Sequence, residues 1–196
     1  MSDAPKKDLK IPCLYFSEPG PVNTVVTLER AAERAAELEI RSLVVASATG
    51  ATGLLAAKLF RGGNLVVVTH STGFAKPDLQ EMPPETRKAL ESAGAKVLTA
   101  QHALGGVGRA VRRKFGTYEL EEIMAFTLRI LGQGAKVAVE IALMAADAGL
   151  VSTEEPCLSV GGTNSGADTA LLLQPSNAQT FFDLKVMEFL AKPRLG

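Results

Sequence analysis

The sequence has no tryptophan, only two cysteines and no excess of charge of either sign. Aromatic residues make up 5% of the chain, which leaves few rings on which nucleic-acid bases could stack. The 21 Lys and Arg residues balance the 21 Asp and Glu residues, unlike the basic excess of nucleic-acid-binding domains. The composition therefore argues against a nucleic-acid partner.

The chain also lacks clustered metal ligands and long apolar runs. Cys13 and Cys157 lie far apart and belong to no Cys/His motif, so we expect two free thiols in a reducing compartment and no metal site. No secretory signal is recognisable, and no apolar run reaches the roughly 18 residues that span a bilayer. We therefore expect a cytoplasmic protein with no membrane partner. Its 196 residues, 46% of them hydrophobic, suit a single domain over 1–196.

Short apolar runs alternate with helix-like segments along the chain. This order predicts a mostly parallel sheet with helices on both faces, an α/β fold. The last two strands are joined by a loop too short for a crossover, so we expect one antiparallel edge strand. The predicted strands are 11–16, 41–47, 64–70, 96–100, 156–163 and 167–174. The predicted helices are 24–38, 52–60, 83–95, three within 104–149, and a last one within 177–193.

The segment 134–148 is apolar nearly all round, which is typical of a helix that is buried on every side. Because a chain of this size has a limited core, the segment predicts a homo-oligomer, most simply a C2 dimer. Glu140 and Asp147 are costly to bury unpaired, so we expect either to face a subunit interface or a polar cavity.

Three predicted strands end in loops of small and polar residues: SATGATG (47–53), THSTGF (69–74) and GGTNSGADT (161–169). In open α/β sheets, ligands bind outside the carboxyl ends of the strands. The three loops are therefore the candidate binding site.

The 47–53 loop has the composition of a phosphate cradle. Ser47, Thr49 and Thr52 offer hydroxyl donors, Gly50 and Gly53 leave the backbone open, and the following helix start favours an anion. The Gly-Lys-Ser/Thr ending of a nucleotide-hydrolysing P-loop is missing. The alternative is a capped turn with Thr49 or Thr52 as N-cap.

The 69–74 loop contributes Thr69, His70, Gly73 and Phe74. His70 is either an acid or base, or a residue that contacts a ligand or supports the fold. No partner carboxylate is identifiable for it from the sequence.

The 161–169 loop contributes Gly162, Thr163, Gly166 and Asp168. The carboxylate of Asp168 would either bind a sugar or ribityl hydroxyl, or stabilise its own turn.

A basic run follows further along the chain, at Arg109, Arg112, Arg113 and Lys114. It is either a solvated helix face or a further contact for a phosphate or an acidic partner.

The stretch VVASATGATGLLAAKLF resembles the effector-binding segment of the pyruvate kinase C-terminal domain, with its pattern Thr-x-Ser/Thr-Gly-x-Ser/Thr between a strand and a helix. Ser47, Thr49, Gly50 and Thr52 match that pattern, with Ser47 in place of the first Thr. The stretches YFSEPGPVNT, VVVTHSTGF, GAKVAVEIALMAADAGL, GGTNSGADTAL and FFDLKVMEFLAKPR extend the resemblance to a largely archaeal family of stand-alone domains of this type.

The resemblance implies a three-layer α/β/α fold with a mostly parallel five-stranded sheet and one antiparallel strand. It also implies that FMN occupies the strand-end cleft in some members, with its phosphate on the 47–53 loop. Phe74 would then cover the flavin ring, and Thr163 or Asp168 would meet the ribityl hydroxyls. Pyruvate kinase activity does not carry over, because phosphoryl transfer there takes place in a (β/α)₈ barrel. A sugar-phosphate-sensing module and an enzyme with His70 or Asp168 as acid or base remain the alternatives.

Overall fold

The computed structural model describes residues 8–194. The strands are β1 (Leu14–Phe16), β2 (Ser42–Ala46), β3 (Asn64–Val68), β4 (Lys96–Leu98), β5 (Cys157–Gly161), β6 (Thr169–Gln174) and β7 (Lys185–Pro193). The helices are α1 (Thr24–Glu37), α2 (Ala51–Leu59), α3 (Pro84–Ser92), α4 (Gly106–Phe115), α5 (Leu120–Arg129) and α6 (Gln133–Asp147). Short 3-10 turns lie at Pro21–Asn23 and Ala178–Asp183.

The seven strands form one mixed sheet in the order β1-β7-β6-β5-β2-β3-β4. The central strand β2 pairs in parallel with β3 on one side and with β5 on the other. β6 is antiparallel to both of its neighbours, β5 and β7. Six strands therefore point the same way, and their carboxyl ends lie at a common edge of the sheet.

Helices cover both faces of this sheet. Val45 and Val67 point toward the layer of α1, α2 and α3, whereas their neighbours Val44 and Val66 point toward α6. Both central strands are short runs of branched apolar residues, as expected for strands that are buried on two faces. The predicted three-layer α/β/α class with a mostly parallel sheet is confirmed.

Two details of the predicted sheet need correction. Within the described part of the chain the sheet has seven strands rather than five, because β1 and β7 extend it beyond β6. The one antiparallel strand, β6, lies between β5 and β7 rather than at the outer edge, which β1 occupies.

The predicted last helix, within 177–193, is wrong. The segment forms a 3-10 turn at Ala178–Asp183 and then the strand β7. β7 pairs with β6 on one side and β1 on the other, and Glu188 in it forms an ion pair with Arg34 of α1 at 2.7 Å. Pairing with two strands thus overrides the helix propensity of this stretch.

The three helices predicted within 104–149 are confirmed as α4, α5 and α6. Twelve of the fifteen residues of α6 are buried, between the sheet on one side and α5 on the other. The apolar character of α6 is therefore satisfied inside one chain and gives no support to a homo-oligomer, which stays a prediction. Asp147 is exposed at its end and accepts hydrogen bonds from Asn177 and Ala178.

Candidate functional site

The carboxyl ends of β5, β2 and β3 lie side by side, because these strands are parallel neighbours. The loops 47–53, 69–74 and 161–169 begin at these ends, so the sheet brings the three candidate segments together. Adjacent strands are about 4.8 Å apart, and the three strand ends therefore span roughly 10 Å. One small ligand can reach across this distance.

The 47–53 loop enters α2 through a left-handed glycine. Gly50 occupies the N-cap with φ 91°, and no side chain of the described residues caps the helix, so the predicted cap by Thr49 or Thr52 is not formed. The Oγ of Ser47 instead accepts the N–H of Gly53 at 3.1 Å. Ser47 thereby holds the loop against the first turn of α2.

This arrangement leaves donors free at the start of α2. Within residues 8–194, the N–H groups of Ala51 and Thr52 and the hydroxyl of Thr49 have no hydrogen-bond partner. Thr49 and Ala51 are exposed, whereas Thr52 is buried. Unpaired amides at a helix N-terminus carry partial positive charge, so the loop has the electrostatics of an anion site.

The two glycines of this loop also serve packing. A Cβ on Gly50 would collide with the side chain of Thr86 in α3. A Cβ on Gly53 would lie 2.9 Å from Val67 Cγ1 of β3. Both glycines are thus required for the close approach of α2 to its neighbours, whether or not a ligand binds.

The 69–74 loop places a histidine beside a carboxylate. The Nδ1 of His70 lies 2.7 Å from the Oε2 of Glu81, and both side chains are partly exposed. Thr69, by contrast, is buried and donates its hydroxyl to the carbonyl of His70 at 2.7 Å, so it is occupied by the fold. Gly73 adopts φ 85° and donates its N–H to the carbonyl of Leu79.

Phe74 belongs to an aromatic cluster at the ends of β3 and β4. Its ring stacks on His102 with centroids 4.9 Å apart, lies 4.1 Å from the ring of His70 and has Arg109 Cζ at 5.0 Å. A cavity of about 160 Å³ adjoins the cluster and is lined by Phe74, His102, Arg109 and Arg113, among others. The ring of Phe74 therefore contacts His70, His102 and Arg109, while the residue stays 37% exposed.

The basic run divides between two environments. Arg109 and Arg113 line the 160 Å³ cavity, and within residues 8–194 neither forms an ion pair. Arg112 instead forms an ion pair with Glu122 of α5 at 3.0 Å. The cavity is thus positively charged on its α4 side and open to an acidic group.

A buried charged pair, Lys136 and Glu140, lies next to His102 of this cavity. The carboxylate of Glu140 accepts hydrogen bonds from Lys136 Nζ and from the N–H of Leu104, the latter at 2.9 Å. His102 Nδ1 lies 3.8 Å from the same carboxylate. Burial lowers the pKa of His102 to about 4 despite the opposing effect of Glu140, so this imidazole is neutral at pH 7.

Asp168, in the 161–169 loop, is fully buried and ties two loops together. Its Oδ2 accepts the N–H groups of Gly20 and Thr163 at 3.0 and 3.1 Å, and its Oδ1 accepts the hydroxyl of Thr169 at 2.9 Å. This bonding supports the turn-stabilising alternative for Asp168.

The glycines of the 161–169 loop also pack closely. A Cβ on Gly162 would meet the backbone of Gly166, and a Cβ on Gly166 would meet Pro21 and Thr24. Thr163 is only partly buried and its hydroxyl makes no hydrogen bond within residues 8–194, so it is a free donor of this loop.

Sequence reasoning missed Glu81, His102 and the buried Lys136–Glu140 pair. Glu81 follows His70 by eleven residues across an irregular segment, and no pattern marks it. His102 and Glu140 are 38 positions apart in the sequence, and only the tertiary fold brings their side chains to 3.8 Å. An acid in the apolar α6 was the one signal that pointed to this pair.

Larger cavities lie elsewhere on the surface, but they are weaker candidates for a ligand-binding site. One of about 250 Å³ is lined by Arg30, Glu33, Arg34 and Glu37, whose charges are already paired with one another. Another, of about 300 Å³, lies around Gly63 at the opposite ends of the strands. The strand-end loops stay the better candidate because their donors are unpaired.

Residues 8–194 contain no cluster of three or more His, Cys, Asp and Glu side chains able to hold a metal ion. In the same described part of the chain, no helix combines the length and the apolar character needed to cross a membrane. Cys157 is 1% exposed in the core, and burial raises its pKa to about 12, so it is no nucleophile.

Comparison with known proteins gives a family assignment, which rests on the match to a family model. One solved pyruvate kinase from Cryptosporidium parvum is similar over 81% of this chain and 23% of its own, with 14% sequence identity and a TM-score of 0.41. Another structure of a pyruvate kinase from the same organism is similar over 81% of this chain and 24% of its own, with 15% identity and a TM-score of 0.43. A third, in complex with ADP, is 16% identical with TM-score 0.40, over 79% of this chain and 24% of that chain. The chain thus spans about a quarter of the length of these enzymes. The family model of the pyruvate kinase alpha/beta domain matches residues 26–173, well over half of the sequence, and the chain therefore belongs to that family.

Proposed function

We propose that this domain binds a phosphorylated small molecule at the carboxyl edge of its sheet, with the phosphate on the 47–53 loop. The observation that carries the proposal is the uncapped start of α2. The free N–H groups of Ala51 and Thr52 and the exposed hydroxyl of Thr49 converge on one loop. Hydrogen bonds to a charged group contribute about 1.5–3 kcal/mol each, so three such donors suffice to anchor a phosphate.

FMN is the specific ligand that we propose. Its phosphate fits the free donors of the 47–53 loop, and Thr163 offers a hydroxyl to the ribityl chain across the edge. When bound, FMN supplies redox chemistry, while the residues of this chain bind and orient it. The flavin ring would lie against the cluster of Phe74, His70 and His102, in which Phe74 is 37% exposed.

Two alternatives each have one supporting observation. The unpaired Arg109 and Arg113 would receive a second acidic group, which favours a sugar-phosphate-sensing module. The contact between His70 and Glu81 is a general-base arrangement, in which the carboxylate orients the imidazole; it favours an enzyme acting on a phosphorylated substrate. In none of these cases do we expect the domain by itself to act as a pyruvate kinase.

Flavin fluorescence titrations test the anchoring. We expect tight binding of FMN and at least tenfold weaker binding of riboflavin, because riboflavin lacks the phosphate. The double variant Thr49→Ala/Thr52→Ala should weaken FMN by about 1–3 kcal/mol, or roughly 5- to 150-fold in Kd, and leave riboflavin unchanged.

The matched control is Thr180→Ala, which removes a threonine at the opposite edge of the sheet and should change neither affinity. Equal affinity for FMN and riboflavin would refute the phosphate anchor. Binding of neither flavin, together with a rise in Tm on adding a sugar bisphosphate, would favour the sensor. Turnover of a phosphorylated substrate that His70→Gln abolishes would favour the enzyme.

A further inference from the structure

The cavity between the 69–74 loop and helix α4 carries positive charge that its own lining does not balance. Arg109 and Arg113 are four positions apart on α4, so their side chains lie on the same side of the helix. No acidic residue lines the cavity, and within residues 8–194 neither arginine forms an ion pair. This α4 cavity is lined by Ser71, Phe74, Gln101, His102, Arg109 and Arg113, among others.

The guanidinium group of Arg109 is held in place without the use of its donors. Its Cζ lies over the ring of Phe74, 5.0 Å from the centroid, and that ring stacks on His102. Contact with a ring face leaves the N–H groups of a guanidinium available, and within residues 8–194 those of Arg109 make no hydrogen bond. A fixed, planar fork of donors matches the two oxygens of a carboxylate.

The carboxylates next to the α4 cavity do not cancel its charge. Glu140, which lies beside His102, is bonded to Lys136 Nζ. Glu122 is paired with Arg112 at 3.0 Å. The two lining arginines are charged at every physiological pH and stay uncompensated, so the cavity fits an anion with two negative charges.

The size and the walls of the α4 cavity limit the kind of anion. Its volume of about 160 Å³ equals roughly five water volumes of about 30 Å³ each, which is too small for a nucleotide or a flavin. Ser71 and Gln101 offer a hydroxyl and an amide that have no hydrogen-bond partner within residues 8–194. The exposed part of Phe74 adds an apolar wall.

We propose that the α4 cavity binds a small dicarboxylate of about four carbons, with its carboxylates on Arg109 and Arg113 and its carbon chain against Phe74. A single inorganic phosphate would meet the charge but would leave the apolar wall uncovered, so the lining favours the organic acid. The cavity lies beyond the ends of β3 and β4, whereas the 47–53 loop follows β2. The proposal therefore does not depend on a phosphorylated ligand at that loop.

Isothermal titration with succinate, at constant ionic strength and without flavin, tests the proposal. We expect one succinate per chain, at least about tenfold weaker binding of butyrate, which has one carboxylate, and no binding of the uncharged succinamide. Arg109→Gln and, separately, Arg113→Gln should each raise the Kd for succinate at least about tenfold. The matched control is Lys114→Gln, which removes one exposed positive charge from the same helix but outside the cavity and should bind as the wild type does.

Four results would overturn the proposal. The first is no binding of succinate up to about 20 mM. The second is a loss in Lys114→Gln equal to that in Arg113→Gln, which would indicate unspecific attraction to α4. The third is tighter binding of inorganic phosphate than of succinate. The fourth is loss of succinate in Thr49→Ala/Thr52→Ala, which would place the acid on the 47–53 loop.

Two features keep the test decisive. Arg113 is exposed, so Arg113→Gln should keep the wild-type far-UV spectrum and Tm even if Arg109→Gln loses its contact with Phe74 and unfolds. Succinate binding by a protein that binds no flavin would refute FMN alone, and FMN binding without succinate binding would refute the dicarboxylate alone.

Discussion

Variants of Asp168 test whether its carboxylate contacts a ligand or has a structural role. The buried carboxylate accepts three hydrogen bonds, two of them from the backbone amides of Gly20 and Thr163. Asp168→Ala leaves those amides without an acceptor, which costs about 1–3 kcal/mol for each. Removal of the buried charge recovers part of this loss, so we expect the free energy of unfolding to fall by about 3–5 kcal/mol. Asp168→Asn keeps the shape and should cost about 1–3 kcal/mol.

Urea-induced unfolding followed by circular dichroism measures these losses. Asp147→Ala is the matched control, because Asp147 also accepts two hydrogen bonds, at 3.1 and 3.0 Å, but is exposed to water. Its loss should stay below about 1 kcal/mol. A similar loss for Asp168→Ala and Asp147→Ala would refute the structural role. So would an Asp168→Asn protein of wild-type stability that no longer binds FMN, because the carboxylate would then face the ligand.

Two further predictions concern packing and pH. Gly53→Ala places a Cβ 2.9 Å from Val67 Cγ1. We therefore expect the free energy of unfolding to fall by a net of about 1–2 kcal/mol, although alanine has the better helix propensity. A higher free energy of unfolding in urea would contradict the packing role of Gly53. Burial lowers the pKa of folded His102 from 6.5 to about 4, so the stability it contributes is complete above pH 6.5 and is lost as pH falls toward 4, by up to about 3 kcal/mol. His102→Gln should flatten this part of the stability profile; an unchanged slope between pH 6.5 and 4 would contradict it.

The regular elements that local pattern specifies were predictable from the sequence. β2 and β3 are continuous runs of branched apolar residues, and α1 shows a clear stripe of buried residues such as Leu28 and Ala35. β7 was not predictable in this way, because Lys185–Pro193 reads locally as a helix. Its strand conformation depends on pairing with β6 and β1, and its partners in β1 lie 177 positions away in the chain.

The position of the site was predictable from the sequence, but the contacts and the protonation of its residues were not. Parallel strands bring their loops to one edge, so the meeting of 47–53, 69–74 and 161–169 follows from strand order alone. The pairing of His70 with Glu81 depends on the course of an irregular loop, which no periodic pattern encodes. The neutral state of His102 depends on its burial beside α6.

The polar residues of the edge loops fall into two groups, one that stabilises the fold and one that is free to bind the proposed ligand. Ser47, Thr69 and Asp168 are bonded within the protein, and Gly53 is required for packing. A loop rich in Gly, Ser, Thr and Asp is therefore not evidence of binding in itself, since the same composition closes tight turns at a buried sheet edge. The donors at the start of α2 are different, because the left-handed cap at Gly50 leaves them without acceptors. If a phosphate binds at this edge, its affinity should therefore depend on these free donors, whereas substitution of the bonded set should lower the stability of the fold and leave the ligand preference unchanged.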